Sequence, residues 1–94
     1  MFSQIPFDPK NLKKEDAIKE ILRVAIIAEF DAINLYEQLA AAATDREDIK
    51  KVFQDVATEE KTHVGEFQAM LLREDKEQVI KLEGGKKEVD ELLR

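Results

Sequence analysis

The residues of this chain that could do chemistry are its single histidine and the acidic residues around it. His63 follows Glu60 by three residues, a spacing that places both side chains on one face of a helix. Imidazole and carboxylate groups together suit iron, manganese or zinc. The chain has no cysteine, which excludes thiolate metal ligands, a disulfide framework and a cysteine nucleophile. The predicted chemistry is therefore metal binding through oxygen and nitrogen atoms.

Two predicted helices position these residues, and each carries an apolar seam with alternating spacings of four and three residues. The only charged seam position of the first helix is Glu29, and the only polar seam positions of the second helix are Glu60 and His63. We therefore expect the polar positions to interrupt the surface that faces a partner helix. The seam positions are Ile18, Leu22, Ala25, Glu29, Ala32, Tyr36 and Leu39, followed by Ile49, Phe53, Val56, Glu60, His63, Phe67 and Met70.

The turn between the helices predicts which seam residues face each other. In an antiparallel hairpin that turns at Thr44 and Asp45, Glu29 precedes the turn by as many residues as Glu60 follows it. The two carboxylates then lie side by side, and no Lys or Arg occupies either seam. Burying such a pair is unfavourable unless a proton or a cation compensates the charge, and a metal ion is the simplest compensation.

One chain supplies only half of a known arrangement of ligands. Di-iron and di-manganese carboxylate proteins use four helices, of which two contribute one Glu each and two contribute a Glu-x-x-His pair. Two copies of Glu29, Glu60 and His63 would complete this set with four carboxylates and two imidazoles. Because four negative charges match two divalent cations, we expect two metal ions per dimer, at the dimer interface.

The predicted fold class is all-α, an antiparallel two-helix hairpin with a short C-terminal helix, and two hairpins pair into a four-helix bundle. Thr44 and Glu47 fit a capping box, and the Gly84-Gly85 pair is typical of a helix stop or a hinge. We expect one domain with an N-terminal arm at 1–12, a hairpin at 13–73 with helices Lys13 to Ala43 and Arg46 to Arg73, and a tail at 74–94 with helical stretches Lys76 to Leu82 and Lys86 to Arg94.

Composition limits the classes of protein to which the chain could belong. Its 94 residues, 44% hydrophobic and 38% charged, form one small folded domain that we expect to self-associate, because small domains bury little surface. The net charge of −6 disfavours nucleic acid as a partner. Apolar runs are too short to span a membrane, and the first residues lack the features of a secretory signal, so we expect a cytoplasmic protein.

Two segments carry a resemblance to a known family. Residues 21–37, ILRVAIIAEFDAINLYE, and residues 59–67, EEKTHVGEF, resemble the encapsulated ferritins, which are two-helix ferritin-like proteins of encapsulin nanocompartments. The resemblance covers residues 13–94 and includes the tail with Gly84-Gly85. It is strongest to the form that some members carry fused ahead of the encapsulin shell protein.

The resemblance implies a ferroxidase that uses Fe(II) and dioxygen at a di-iron centre between two subunits, with dimers assembled into a decamer inside an encapsulin shell for iron storage. Glu29, Glu60 and His63 match the family's iron ligands, Tyr36 its tyrosine near the centre, and Asp31 an acidic residue on the path by which iron arrives. Ala28 departs from the second glutamate that other members have on that path. No C-terminal targeting peptide is recognisable, so encapsulation rests on the resemblance alone.

Each of these residues also has a purely structural interpretation. Glu29 could set the register of the helices, and His63 could be a core histidine with satisfied hydrogen bonds. Glu59 is the rival of Glu60, although only Glu60 keeps the seam spacing. Tyr36 could be a core aromatic residue. Asp31 lies off the seam, and a solvated surface acid is the favoured interpretation there.

Two other functions remain open from the sequence. One is a structural oligomerisation or cargo module without redox activity, in which the seam carboxylates only set register. The other is a rubrerythrin-like di-iron peroxidase, which the lack of cysteine disfavours because such proteins carry a rubredoxin-type iron centre.

Overall fold

Three helices follow one another along the described part of the chain. The structure is a computed structural model that describes Lys10 and residues 16–94. Its helices are α1 (Ala17–Ala42), α2 (Glu47–Glu74) and α3 (Lys76–Leu92). The predicted all-α class is confirmed. The predicted N-terminal arm at 1–12 lies outside the described residues, apart from Lys10. No helix in the described part of the chain is both long and apolar enough to cross a membrane.

In the described residues, the hairpin formed by α1 and α2 agrees with the prediction except at its connection. Helix α1 is described from Ala17, with Asp16 as its N-cap and the Asp16 carbonyl accepting a 3.1 Å hydrogen bond from the backbone amide of Glu20, and the predicted start at Lys13 lies outside the described residues. The predicted capping box is wrong, because the N-cap of α2 is Arg46 and not Thr44. Asp45 has a φ of 63°, and this left-handed residue reverses the chain between the helices.

Few side chains are buried between α1 and α2. In the described residues, the buried apolar side chains are those of Ile33, Ala40, Ala57 and Leu71. These positions recur at multiples of seven residues on each helix and form a stripe beside the predicted seams. The seams themselves are half-buried along most of their length and exposed at Ile18, Leu39 and Met70. One chain therefore covers only part of the surface that its seams present.

Helix α3 differs from its prediction in continuity. It runs from Lys76 to Leu92 through Gly84 and Gly85, so the helix stop predicted there is wrong. Neither glycine has a positive φ, and strong helix formers surround the pair, which lets the helix continue despite a propensity cost of about 1 kcal/mol per glycine. No α3 residue is buried, and its apolar side chains at Val79, Ile80 and Leu92 are exposed.

Candidate metal centre

The antiparallel packing of α1 against α2 brings together the three residues that interrupt the seams. Glu29 lies in the middle of α1, and Glu60 and His63 lie in the middle of α2. One donor atom from each side chain lies within 4.8 Å of the other two. Tyr36 and Phe53, which are also equally distant from the turn, stack with ring centroids 6.1 Å apart. The predicted register of the hairpin is therefore confirmed.

The imidazole of His63 lies between the two carboxylates. Its Nδ1 atom is 3.4 Å from Glu60 Oε2 and 3.5 Å from Glu29 Oε2. The two glutamate side chains are each 18% exposed, whereas the His63 side chain is 44% exposed. The cluster is thus closed on the hairpin side by the carboxylates and open on the side of the imidazole.

One carboxylate oxygen in the cluster accepts no hydrogen bond. Among the described residues, Glu29 Oε2 is the buried side-chain oxygen or nitrogen atom that accepts no hydrogen bond. An acceptor buried without a donor is unfavourable and rare in native structures, where such groups are paired. A divalent cation bound by Glu29, Glu60 and His63 would satisfy this oxygen, and the two carboxylates and one imidazole are the donors that iron, manganese and zinc accept. The residues present therefore fit a metal site.

The structure distinguishes Glu60 from its rival. Glu60 belongs to the cluster, whereas Glu59 is exposed and does not. The seam spacing had favoured Glu60 for this reason, because a shift by one residue turns a helical side chain by about 100°.

Tyr36 and Asp31 lie outside the cluster. Tyr36 is half-buried two helical turns from Glu29, with its ring against Phe53. Asp31 is only 8% exposed, so its interpretation as a solvated surface acid is wrong. It follows Glu29 by two residues, about 200° around the helix, and therefore projects to the opposite side of α1.

Sequence reasoning missed a second buried acid, Asp75. Its carboxylate pairs with Arg23 at 3.2 Å, across 52 residues of sequence. A pair so far apart leaves no local pattern, although an acid directly before a helical segment is a typical N-cap signal that points to Asp75.

Comparison with known proteins gives the class to which this fold and site belong. The model of the Rubrerythrin family matches residues 20–92. The chain therefore belongs to the rubrerythrin family of ferritin-like proteins.

Two individual proteins refine this class. A ferritin-like-encapsulin shell fusion protein from Pyrococcus furiosus is 59% identical over 78 residues, which are 83% of this chain and 22% of the length of that relative. The crystal structure of the encapsulated ferritin domain from Pyrococcus furiosus matches with a TM-score of 0.82 and 50% identity over 95% of each chain. The resemblance to the encapsulated ferritins is confirmed.

Proposed function

We propose that the chain is a ferroxidase that oxidises Fe(II) to Fe(III) at a centre shared by two copies, for iron storage in an encapsulin compartment. The observation that carries this proposal is the cluster of Glu29, Glu60 and His63, with its buried carboxylate oxygen that accepts no hydrogen bond. Membership of a ferritin-like family makes iron the metal to test first.

The need for two copies follows from what one copy lacks. Three donor atoms leave the coordination of a metal ion incomplete, and the His63 side chain faces outward from the hairpin at 44% exposure. A second hairpin packed on the half-buried seams would cover the imidazole and bring a second set of ligands. The pair then provides four carboxylates for two Fe(II) ions, which leaves the centre without net charge.

Iron is the substrate in this mechanism, and the chain binds and orients it. Glu29 and Glu60 hold the iron as hard oxygen donors, which stabilise the oxidised ion, and the imidazole of His63 fixes its position. Each Fe(II) loses one electron, dioxygen takes up both electrons and two protons from solvent and leaves as hydrogen peroxide, and Fe(III) leaves toward the mineral store. Two ions held about 3.5 to 4 Å apart can act together on one small molecule.

Two further residues have proposed roles beside the centre. Tyr36 is the tyrosine near the centre, where a hydroxyl could donate a hydrogen bond to a ligand carboxylate and orient it. Asp31 is an acidic residue on the path by which iron arrives. Both roles come from the family resemblance. In a single chain both residues lie outside the cluster, so their roles need a test on the assembled protein.

The proposed partners are other copies of this chain and an encapsulin shell. The Pyrococcus furiosus relative is named as a fusion with an encapsulin shell protein, and this supports an encapsulated location for the present chain. We infer dimers that assemble further, to a decamer, within a cytoplasmic compartment.

The decisive experiment substitutes two of the ligands, each in its own variant, and compares them with a variant of a neighbouring exposed acid. His63→Ala and Glu60→Gln are expected to lose most of the initial rate of Fe(II) oxidation, measured by the absorbance of Fe(III). Glu59→Gln is the matched control, because it removes the adjacent exposed acid from the same helix, and it should keep the parent rate. An unchanged rate in His63→Ala would exclude this site as the ferroxidase centre.

The assembly module is the second candidate, and the exposed apolar side chains of Phe30, Ile80 and Leu92 favour it. If the seam carboxylates only set register, chelators should leave the native mass and the melting temperature unchanged. A shared metal centre instead links metal binding to association, so the native mass and metal content should rise together when Fe(II) is added.

A further inference from the structure

Asp75 occupies the junction of all three helices. It is the single residue between α2 and α3, and its φ of −135° and ψ of 89° end the first of these helices before the second begins. Its amide donates a 2.9 Å hydrogen bond to the carbonyl of Leu71 in α2. Its carboxylate accepts a 3.0 Å hydrogen bond from the backbone amide of Gln78 in α3 and a 3.2 Å hydrogen bond from the guanidinium of Arg23 in α1.

The rest of α3 has little to hold it against the hairpin. No α3 residue is buried, and few of its residues approach α2. Gln78 and Leu82 line an open groove of about 330 Å³ whose other walls include Ile26 and Ile27 of α1 and Gln68 of α2. The side chain of Asp75, by contrast, is only 11% exposed. The Asp75 carboxylate therefore links the two elements, because it accepts hydrogen bonds from both Gln78 of α3 and Arg23 of α1.

Asp75 is surrounded by groups that favour its ionised form. The pKa of its carboxyl lies below the ordinary value, chiefly because the Gln78 amide donates to it, and the Arg23 guanidinium and the charge of Lys19 lower it further against the effect of desolvation. Asp75 is thus an anion at neutral pH and meets two cationic residues of α1.

We propose that the Arg23–Asp75 pair is a latch that sets the direction of α3 relative to the hairpin. With the latch closed, the first two turns of α3 lie along the groove. None of the groove residues belongs to the cluster of Glu29, Glu60 and His63. These residues lie toward the open end of the hairpin, so the latch keeps the start of α3 away from the metal cluster and leaves the cluster free to meet a second chain.

The direction of α3 can be measured directly, because the chain has no cysteine and introduced cysteines carry all the label. Nitroxide labels at Asn34→Cys in α1 and Lys81→Cys in α3 occupy exposed positions on the two sides of the latch. Labelled chain is diluted into unlabelled chain before assembly, so that distances within one chain dominate. The parent should give one narrow distance distribution. Arg23→Gln and Asp75→Asn should give broad ones, with the helix content of the hairpin retained.

Hydrogen exchange gives an independent measure on the same variants. The amides of residues 78–82 should exchange about threefold faster in Arg23→Gln, which loses a partly exposed ion pair. In Asp75→Ala, which loses the helix cap as well, they should exchange about tenfold faster. Amides in the middle of α1 and α2 should keep their parent rates.

Asp48→Asn is the matched control, because it breaks another Arg–Asp pair near a helix start, with Arg46 at 3.1 Å, on the exposed turn of the hairpin. It should leave both measurements at parent values. If Asp75→Ala does not fold, Arg23→Gln decides the matter, since it leaves Asp75 and its cap in place. Narrow parent-like distances in both Arg23→Gln and Asp75→Asn would overturn the latch.

Discussion

Asp75 and Glu29 are both largely removed from water, and their carboxylates have opposite surroundings. Asp75, at the end of the hairpin, has both oxygens bonded, one to the amide of Gln78 and one to the guanidinium of Arg23. Glu29, in the middle of the hairpin, has an oxygen that is buried and accepts no hydrogen bond from any described residue. The same functional group is satisfied by the chain itself in one region and left unsatisfied in the other.

This difference separates a structural carboxylate from one that awaits a ligand. A buried acceptor without a donor carries a desolvation cost that natural proteins rarely retain without a reason. At Asp75 the hydrogen bonds from Gln78 and Arg23 offset this desolvation cost. At Glu29 it places a second carboxylate and an imidazole beside the unsatisfied oxygen, which raises the negative charge further and favours a cation.

The largest expected effect comes from supplying that cation. At a free Fe(II) concentration a hundredfold above the dissociation constant, bound metal should stabilise the folded chain by about 2.7 kcal/mol. Thermal unfolding followed by circular dichroism without oxygen should show this as a rise in melting temperature. Glu29→Gln should remove most of the rise, because it takes a charged ligand from the site.

Asp75→Asn is the control for the metal effect, since it changes a carboxylate that the chain already satisfies. It should lower the melting temperature of the metal-free protein and keep the rise that Fe(II) produces. An equal Fe(II)-induced rise in Glu29→Gln and in the parent would contradict the contrast between the two acids.

A smaller effect is expected from pH, and it tests Asp75 alone. Because the folded chain lowers the pKa of Asp75 below its ordinary value of 3.8, the folded state holds the anion more strongly than the unfolded state does. The resulting stabilisation is fully present above the unfolded pKa and disappears as the pH falls through the lower folded pKa. Chemical unfolding at several pH values should therefore show parent and Asp75→Asn converging in acid.

Asp48 gives the comparison for this titration. Its pKa is also lowered, chiefly by the hydrogen bond from Arg46, but the pair is exposed on the turn. Solvent screening makes such pairs weak, so Asp48→Asn should change the pH profile less than Asp75→Asn does. A larger change in Asp48→Asn would mean that burial does not set the strength of the two pairs.

The smallest expected effect lies in α3. A methyl group added at Gly84 or Gly85 meets no atom within 4 Å, and neither residue has a positive φ. Gly84→Ala and Gly85→Ala should therefore stabilise the helix by about 0.5 to 1 kcal/mol each. The measurement is slower hydrogen exchange around residues 80–90, with parent rates in α2. Faster exchange there would show that the glycines serve a conformation other than this continuous helix.

The hairpin and its cluster could be predicted because the positions of the two seams and of the turn determine them. Once the seams and the turn are located, an antiparallel pair has one register, and that register placed Glu29 beside Glu60. The seam rule also chose Glu60 over Glu59. The prediction that a second copy completes the centre draws on a known four-helix arrangement and still needs its test.

What the sequence did not predict depends on contacts between distant residues or on competing local preferences. Asp31 was expected on the surface because it lies off the seam, but seam position describes packing within the hairpin and not every contact of a side chain. Arg23 and Asp75 are 52 residues apart, so no local pattern links them. At Gly84-Gly85, the surrounding helix formers outweighed a pair that usually ends a helix.

The short turn at Asp45 sets the register of α1 and α2 at a site about 20 Å away along the helices. Glu29 meets Glu60 only because the left-handed residue closes the connection between α1 and α2 with a fixed number of residues. Inserting a single residue there would leave both helices intact and slide one past the other, so that carboxylate, imidazole and carboxylate no longer share a level. The number of residues in this one connection therefore determines whether the three candidate ligands meet.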